Sequence, residues 1–262
     1  MRTNRFRELL DAGNPTLGTR INAVWPSIVE VIGHTGMFDY IEFLAEYAPF
    51  DLHDLDNFCR AAELFNMTAI IKIDQEPRTS LAQRAIGAGF QGILFTDCRS
   101  AEEVRQCVRI VRPETPEDGG IHGAGVRRMA YVGRAGTPEY VQALRDVIVL
   151  VMIEKRQAVE QLEEILAVEG VDMIQWGSSD YSMSIGKAGG RNSPEVKAVA
   201  RQVFETARRM GIPARAEIAS VDQARYYLDL GVRHFCLGND LAILYDWWKS
   251  NGDALRKVVS DA

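Results

Sequence analysis

Short apolar runs recur along this chain. Each is followed by a stretch in which apolar residues return every three or four positions. The runs predict strands at 17–21, 39–44, 69–73, 92–95, 148–153, 173–176, 214–218 and 234–238. The periodic stretches predict helices at 5–12, 27–35, 51–65, 81–87, 101–111, 138–146, 159–167, 194–210, 221–230 and 241–259. Runs such as V-L-V-M-I at 149–153 carry no polar alternation, as expected of parallel strands covered on both faces.

Eight strand–helix repeats without a hairpin signal favour a closed (β/α)8 barrel, one domain over residues 1–262. An open sheet would need a reversal of strand order, which the pattern leaves open. The segment 112–136 is rich in Gly and Pro and long for a barrel connection. It is expected to fold over the barrel mouth as a substrate loop, bringing His122, Arg127 and Arg128 with it. The last helix carries Leu241, Leu244, Trp247 and Trp248 on one broad face, which suits either the core or a neighbouring subunit.

Composition narrows the class. Of 262 residues, 47% are hydrophobic and 25% charged, enough to build a barrel core. The net charge is −6 with acids and bases interleaved, and there is no basic tract to attract nucleic acid. No apolar stretch approaches the ~20 residues that span a bilayer, and the first residues, M-R-T-N-R-F, lack a signal core. A cytoplasmic protein is expected. Cys59, Cys98, Cys107 and Cys236 form neither a C-x-x-C pair nor a zinc spacing, so reduced structural thiols are expected.

Candidate chemistry concentrates in 149–184, read as strand, helix, strand. Glu154 ends the first apolar run and Asp180 follows the second through Gly177. Both lie where α/β folds place their functional groups, at the C-terminal ends of parallel strands. Two converging carboxylates repel, and a hard divalent cation such as Mg²⁺ or Mn²⁺ relieves that. The same residue types also suit helix capping at those points.

The run I-E-K-R-Q-A-V-E-Q-L-E-E-I-L-A-V-E-G-V-D-M-I-Q-W-G-S-S-D-Y-S-M-S-I-G resembles the signature of the metal-dependent pyruvate aldolases, the HpcH/HpaI family. The similarity extends to F-D-Y-I-E-F-L-A-E-Y-A-P-F-D at 38–51, the region around Gly92, and L-G-N-D at 237–240. The resemblance implies a (β/α)8 barrel, often hexameric, whose carboxylate pair binds Mg²⁺, Mn²⁺ or Co²⁺. Glu154 and Asp180 fall on those two ligand positions. It implies a 2-oxo acid chelated through its keto and carboxylate oxygens, with an aldehyde as the second small-molecule partner. Gly177 would admit the substrate carboxylate, held by N–H groups of Ser178 and Ser179.

The departures from the family pattern are as informative. The family's second strand ends D-x-E-H, then Ala or Gly, then Pro; here it reads L-A-E-Y-A-P, with Leu44 for the Asp and Tyr47 for the His. Lys72 stands where the family has a substrate-binding Arg, and G-S-S-D replaces G-P-x-D. The metal half resembles the family and the acid/base half is rebuilt. Tyr47, Lys72 and Glu42 are the catalytic candidates, and Arg215 is a candidate for a second substrate carboxylate. Glu42 with Lys72, or Arg215 with Glu217, also reads as a structural ion pair. A Schiff base at Lys72 is a further alternative. The expected function is a metal-dependent carbon–carbon lyase acting on a 4-hydroxy-2-oxo acid through a pyruvate enolate. An oxaloacetate-type decarboxylase, or another reaction on that metal–enolate platform, stands beside it. A non-catalytic keto-acid-binding barrel is the alternative of another class.

Overall fold

The computed structural model describes residues 2–261. Its eight parallel strands close into a barrel in sequence order, each bonded to its neighbours and the last to the first. The elements run α1 (Arg5–Asp11), β1 (Thr16–Ile21), α2 (Pro26–His34), β2 (Tyr40–Leu44), α3 (Leu52–Leu64), β3 (Thr68–Ile73), α4 (Arg78–Ala88), β4 (Gly92–Phe95) and α5 (Ala101–Val111). They continue with α6 (Pro138–Arg145), β5 (Ile148–Ile153), α7 (Arg156–Glu160), α8 (Leu162–Leu166), β6 (Met173–Trp176), α9 (Ser178–Ser184), α10 (Pro194–Met210), β7 (Ala214–Ile218), α11 (Ala224–Asp229), β8 (His234–Asn239) and α12 (Asp240–Ser260).

Local chemistry sets the ends. Asp51 and Asp54 form a reciprocal capping box at the start of α3. Ser193 caps α10 ahead of Pro194, and Gly211 ends it at φ 76°, where a side chain would be strained. The stretch expected as one helix at 159–167 is two short ones, because Gln161 leaves helical geometry at φ −110° and ψ 26°.

Strands β2 to β5 are buried on both faces along their whole length. Outward residues such as Phe43, Ile71, Ile93 and Val151 pack under the helices. Inward residues Tyr40, Ile70, Leu94, Leu150 and Met173 fill the barrel. α1 seals the N-terminal end: Phe6 stacks on Tyr40 with ring centroids 4.7 Å apart, and Arg7 pairs with Asp172 at 2.7 Å.

The segment 112–136 does not cover the mouth. It leaves the C-terminal end of α5, which lies at the N-terminal face of the barrel. There Arg112 donates to the carbonyls of Arg145 and Val147 at 3.0 and 2.8 Å. Arg127 donates to the Gln83 carbonyl, and Arg128 engages the Ala88 carbonyl and Glu63. This is a consequence of topology: a helix-to-strand connection lies opposite the strand ends that carry the site. His122 is buried in this segment, and desolvation pushes it down to about 4. Neither it nor Arg127 and Arg128 reaches the mouth.

Candidate functional site

The C-terminal strand ends bring together residues from five consecutive repeats. Lys72 lies on β3, and Glu46 and Tyr47 follow β2. Asp97 follows β4, Glu154 and Lys155 follow β5, and Gly177 and Asp180 follow β6. The inward side of β3 carries Lys72 upward from Ile70, and the Leu44–Lys72 register aligns it with the end of β2.

Glu154 is 2% exposed. Its Oε1 accepts the Asp97 N–H at 2.9 Å. Among the described residues no cation lies within ion-pair distance of it. Burial pushes its carboxyl up to about 7, opposed by the Asp97 N–H and by the charge of Lys72, and reinforced by Asp180. Gly177 explains how the group fits. A Cβ there would lie 2.5 Å from Glu154 Oε2, so the backbone of β6 passes against the carboxylate only because no side chain intervenes.

Asp180 sits in the first turn of α9, an element the sequence pattern did not suggest. Ser178 and Ser179 open that helix, so their N–H groups are among those with no acceptor inside it. Asp180 accepts from Lys155 Nζ at 3.2 Å, and Lys155 also pairs with Asp97 at 2.5 Å. The repulsion expected between the two acids is therefore relieved on one side by the residue next to Glu154.

Lys72 is 5% exposed and lies 2.7 Å from Glu46, with its Nζ donating to the Tyr47 hydroxyl. Burial works against its charge, but Tyr47 and Glu46 outweigh that and raise its pKa. An ammonium so held is a fixed cation rather than a free amine, which removes the basis for a Schiff base at Lys72. Tyr47 is 58% exposed as a residue, with its hydroxyl turned in to Lys72. Burial of that end raises it to about 12, against the pull of Lys72.

Glu42 and Arg215 are not brought to this group. Both side chains are wholly buried inside the barrel and paired with each other. Arg215 Nε donates to Gln175 Oε1 at 2.6 Å, Gln175 donates onward to Glu217, and Glu217 pairs with Arg20. Arg215 is thus committed to Glu42 and Gln175 and has no surface to offer a substrate carboxylate. Glu42 is likewise committed. Neither of the two ion pairs suggested by the sequence forms: Lys72 goes to Glu46, and Glu217 to Arg20. The reason is register. Gln175 aligns with Arg215, and Arg20 with Glu42, so a polar girdle closes across the barrel below the strand ends.

The donor set fits a hard divalent cation. Among the described residues no three His, Cys, Asp or Glu side chains converge. Magnesium and manganese do not need that: one or two carboxylates suffice, with water and substrate oxygens completing the shell. Glu154, buried with no ion-pair partner among the described residues and raised in part by the charge of Asp180, makes such a pair with it.

The model describing the HpcH/HpaI aldolase/citrate lyase family matches residues 21–246. The chain belongs to that family. It is 28% identical over 255 residues to a 5-keto-4-deoxy-D-glucarate aldolase of Klebsiella pneumoniae, covering 97% of each protein. It is 29% identical over 242 residues to a 4-hydroxy-2-oxo-heptane-1,7-dioate aldolase of Escherichia coli, covering 92% of this chain and 90% of the other. The crystal structure of an HpcH/HpaI aldolase from Desulfitobacterium hafniense shares the fold, with a TM-score of 0.87, 24% identity and 97% of each chain covered. Within this HpcH/HpaI chain, three residues of the cluster had escaped the sequence reading: Glu46, Asp97 and Lys155. Lys155 carried a signal, a cation adjoining Glu154. Asp97, at the end of the fourth apolar run, carried a weaker one.

Proposed function

We propose that this HpcH/HpaI chain is a divalent-metal-dependent carbon–carbon lyase acting on a 4-hydroxy-2-oxo acid, releasing pyruvate or a close relative and an aldehyde. The observation that carries this is Glu154. It is a buried carboxylate with no paired cation, beside Asp180 and within electrostatic reach of Lys72. Glu154 and Asp180 are the residues that would hold Mg²⁺, Mn²⁺ or Co²⁺. When bound, the cation supplies a Lewis acid that draws charge from the keto oxygen as the C3–C4 bond breaks.

The chain's own residues do the rest. Lys72, fixed by Glu46, places a permanent positive charge beside the developing enolate oxygen. Gly177 keeps the wall behind Glu154 thin, and the N–H groups of Ser178 and Ser179 receive the substrate carboxylate. Tyr47 accepts a hydrogen bond from Lys72, and its own O–H keeps its proton beside the Glu46 carboxylate. With a pKa near 12 it is a proton donor at neutral pH, suited to protonating C3 of the enolate.

That same observation favours a second reading. Aldol cleavage also passes the proton of the 4-hydroxyl to an acceptor, here water at the solvent-exposed edge beside Tyr47, whereas decarboxylation of an oxaloacetate-like acid has no such proton to lose. It releases CO₂, leaves the same enolate, and needs only the proton that Tyr47 donates. A coupled assay for pyruvate separates the two, with a 4-hydroxy-2-oxo acid and oxaloacetate as parallel substrates. Release that requires Mg²⁺ or Mn²⁺, stops with chelator and is lost in Glu154→Gln supports the proposal. No release from either acid, with oxalate still binding, assigns the chain to non-catalytic keto-acid binding.

We also propose a homo-oligomer, hexameric by resemblance. α12 exposes Leu241, Leu244, Trp247, Trp248 and Leu255, with both tryptophans more than 60% exposed. A helix with that much bare apolar surface is completed by a partner, and a second copy of the chain fits the family's habit. No helix in residues 2–261 is long and apolar enough to cross a membrane. The four cysteines are buried and free, in keeping with a cytoplasmic setting.

A further inference from the structure

Asp97 serves both acids of the proposed cation site at once. Its backbone sits at φ 59°, a left-handed conformation uncommon for a residue with a side chain. That turn aims its N–H at Glu154 Oε1, 2.9 Å away, while its carboxylate reaches Lys155 at 2.5 Å. Lys155 in turn reaches Asp180 at 3.2 Å. The ammonium is therefore held between two carboxylates, one of which is a proposed cation ligand.

We propose that Lys155, tethered by Asp97, is the internal counter-ion of the cation site. It holds Asp180 in the metal-free protein and gives it up when a divalent cation binds. This rests on the reading of Glu154 and Asp180 as ligands. The physical case is one of competition. An ammonium and a metal ion cannot both take the same carboxylate oxygen at full strength, and two cations close together repel. The tether makes the exchange possible. When Asp180 turns to the metal, Lys155 keeps its contact with Asp97, so the ammonium is never left without a partner. Asp180 is the more exposed of the two partners, so the contact that breaks is the weaker one. The result is a site in which Asp180 keeps a cationic partner until a divalent cation replaces it, with divalent affinity set below that of bare carboxylates.

Titration of the whole protein with MnCl₂, followed by electron paramagnetic resonance of free Mn²⁺ and by melting temperature, tests this without any turnover assay. Lys155→Met is expected to bind Mn²⁺ roughly tenfold more tightly, since it removes an ion pair and a like charge. Its melting temperature should rise more on Mn²⁺ addition than that of the wild type. Lys155→Arg keeps the charge and should bind close to the wild type. Asp97→Asn removes the fallback partner while keeping the N–H to Glu154, and should weaken binding several-fold. Lys155→Met binding no tighter than wild type, or Lys155→Arg matching Lys155→Met, overturns the counter-ion role. Glu154→Gln and Asp180→Asn show which idea has failed. If they abolish Mn²⁺ binding while Lys155→Met leaves it unchanged, the ligands stand and only the counter-ion is wrong. If they leave wild-type binding intact, the ligand reading fails and takes this inference with it.

Discussion

Replacing Gly177 by Ala tests the site at the point where backbone and carboxylate are closest. The φ of Gly177 is −112°, ordinary for any residue, so the substitution carries no backbone strain. Its whole effect is steric. The new Cβ would sit 2.5 Å from Glu154 Oε2, 2.6 Å from Glu154 Cβ and 3.0 Å from Met152 Cε. Glu154 cannot simply rotate away, because its other oxygen is held by the Asp97 N–H and the group is buried. Overpacking of this kind costs about 1–3 kcal/mol. For a chain of this size that lowers the melting temperature by about 2–4 °C per kcal/mol. Displacing the carboxylate also forfeits a charge-assisted hydrogen bond, worth about 1.5–3 kcal/mol. Carried into the position of a cation ligand, that is roughly a tenfold or greater loss of Mn²⁺ affinity. Calorimetric Mn²⁺ titration and thermal melts of wild type and Gly177→Ala read both effects. An Ala variant with unchanged Mn²⁺ affinity and unchanged melting would show that the carboxylate does not lie against that backbone.

Other outcomes follow from the same geometry. Glu42→Gln leaves Arg215 charged and buried with no acid partner, and should cost about 3–5 kcal/mol in chemical denaturation; wild-type stability would show that the pair is not sealed inside the barrel. In the metal-free protein Glu154 titrates near 7 against an ordinary 4.5, so its contribution is full below about 4.5 and is lost as pH rises to 7. The difference is worth about 3 kcal/mol. Denaturation midpoints should fall across that window and flatten in Glu154→Gln; an unchanged slope in that variant would count against the assignment. Tyr47→Phe should slow pyruvate release by about a hundredfold while leaving Mn²⁺ affinity alone; full activity would remove Tyr47 from the chemistry. Charging the face of α12 with Trp247→Glu and Trp248→Glu should give a smaller particle by light scattering, whereas an unchanged mass would place the interface elsewhere.

Strands such as β4 and β5 were legible because they are short, apolar and bounded. Helix ends such as Ser193-Pro194 and Gly211 were legible because capping side chains, proline and glycine mark them. α9 was not, because S-S-D-Y-S-M-S has no apolar period. Segment 112–136 misled because length and glycine content mark an unusual connection but carry no direction. Direction comes from its place after a helix, which sends it to the N-terminal face. At the site, Glu154 and Asp180 could be picked out because each stands just beyond a strand end, and Lys72 and Tyr47 because they fall on positions of the resembled family's pattern. Pairings were less legible. Which acid meets which base inside a barrel depends on the stagger between strands, and that is why Arg215 took Glu42 while Lys72 took Glu46.

The most direct measurement is anomalous scattering from crystals grown with Mn²⁺ and oxalate, the latter standing in for the planar enolate. The expected result is a manganese peak at the carboxylates of Glu154 and Asp180, with oxalate bound beside it and near Lys72. A peak elsewhere, or none with Glu154 still on the Asp97 N–H and Asp180 still on Lys155, would contradict the proposed chemistry.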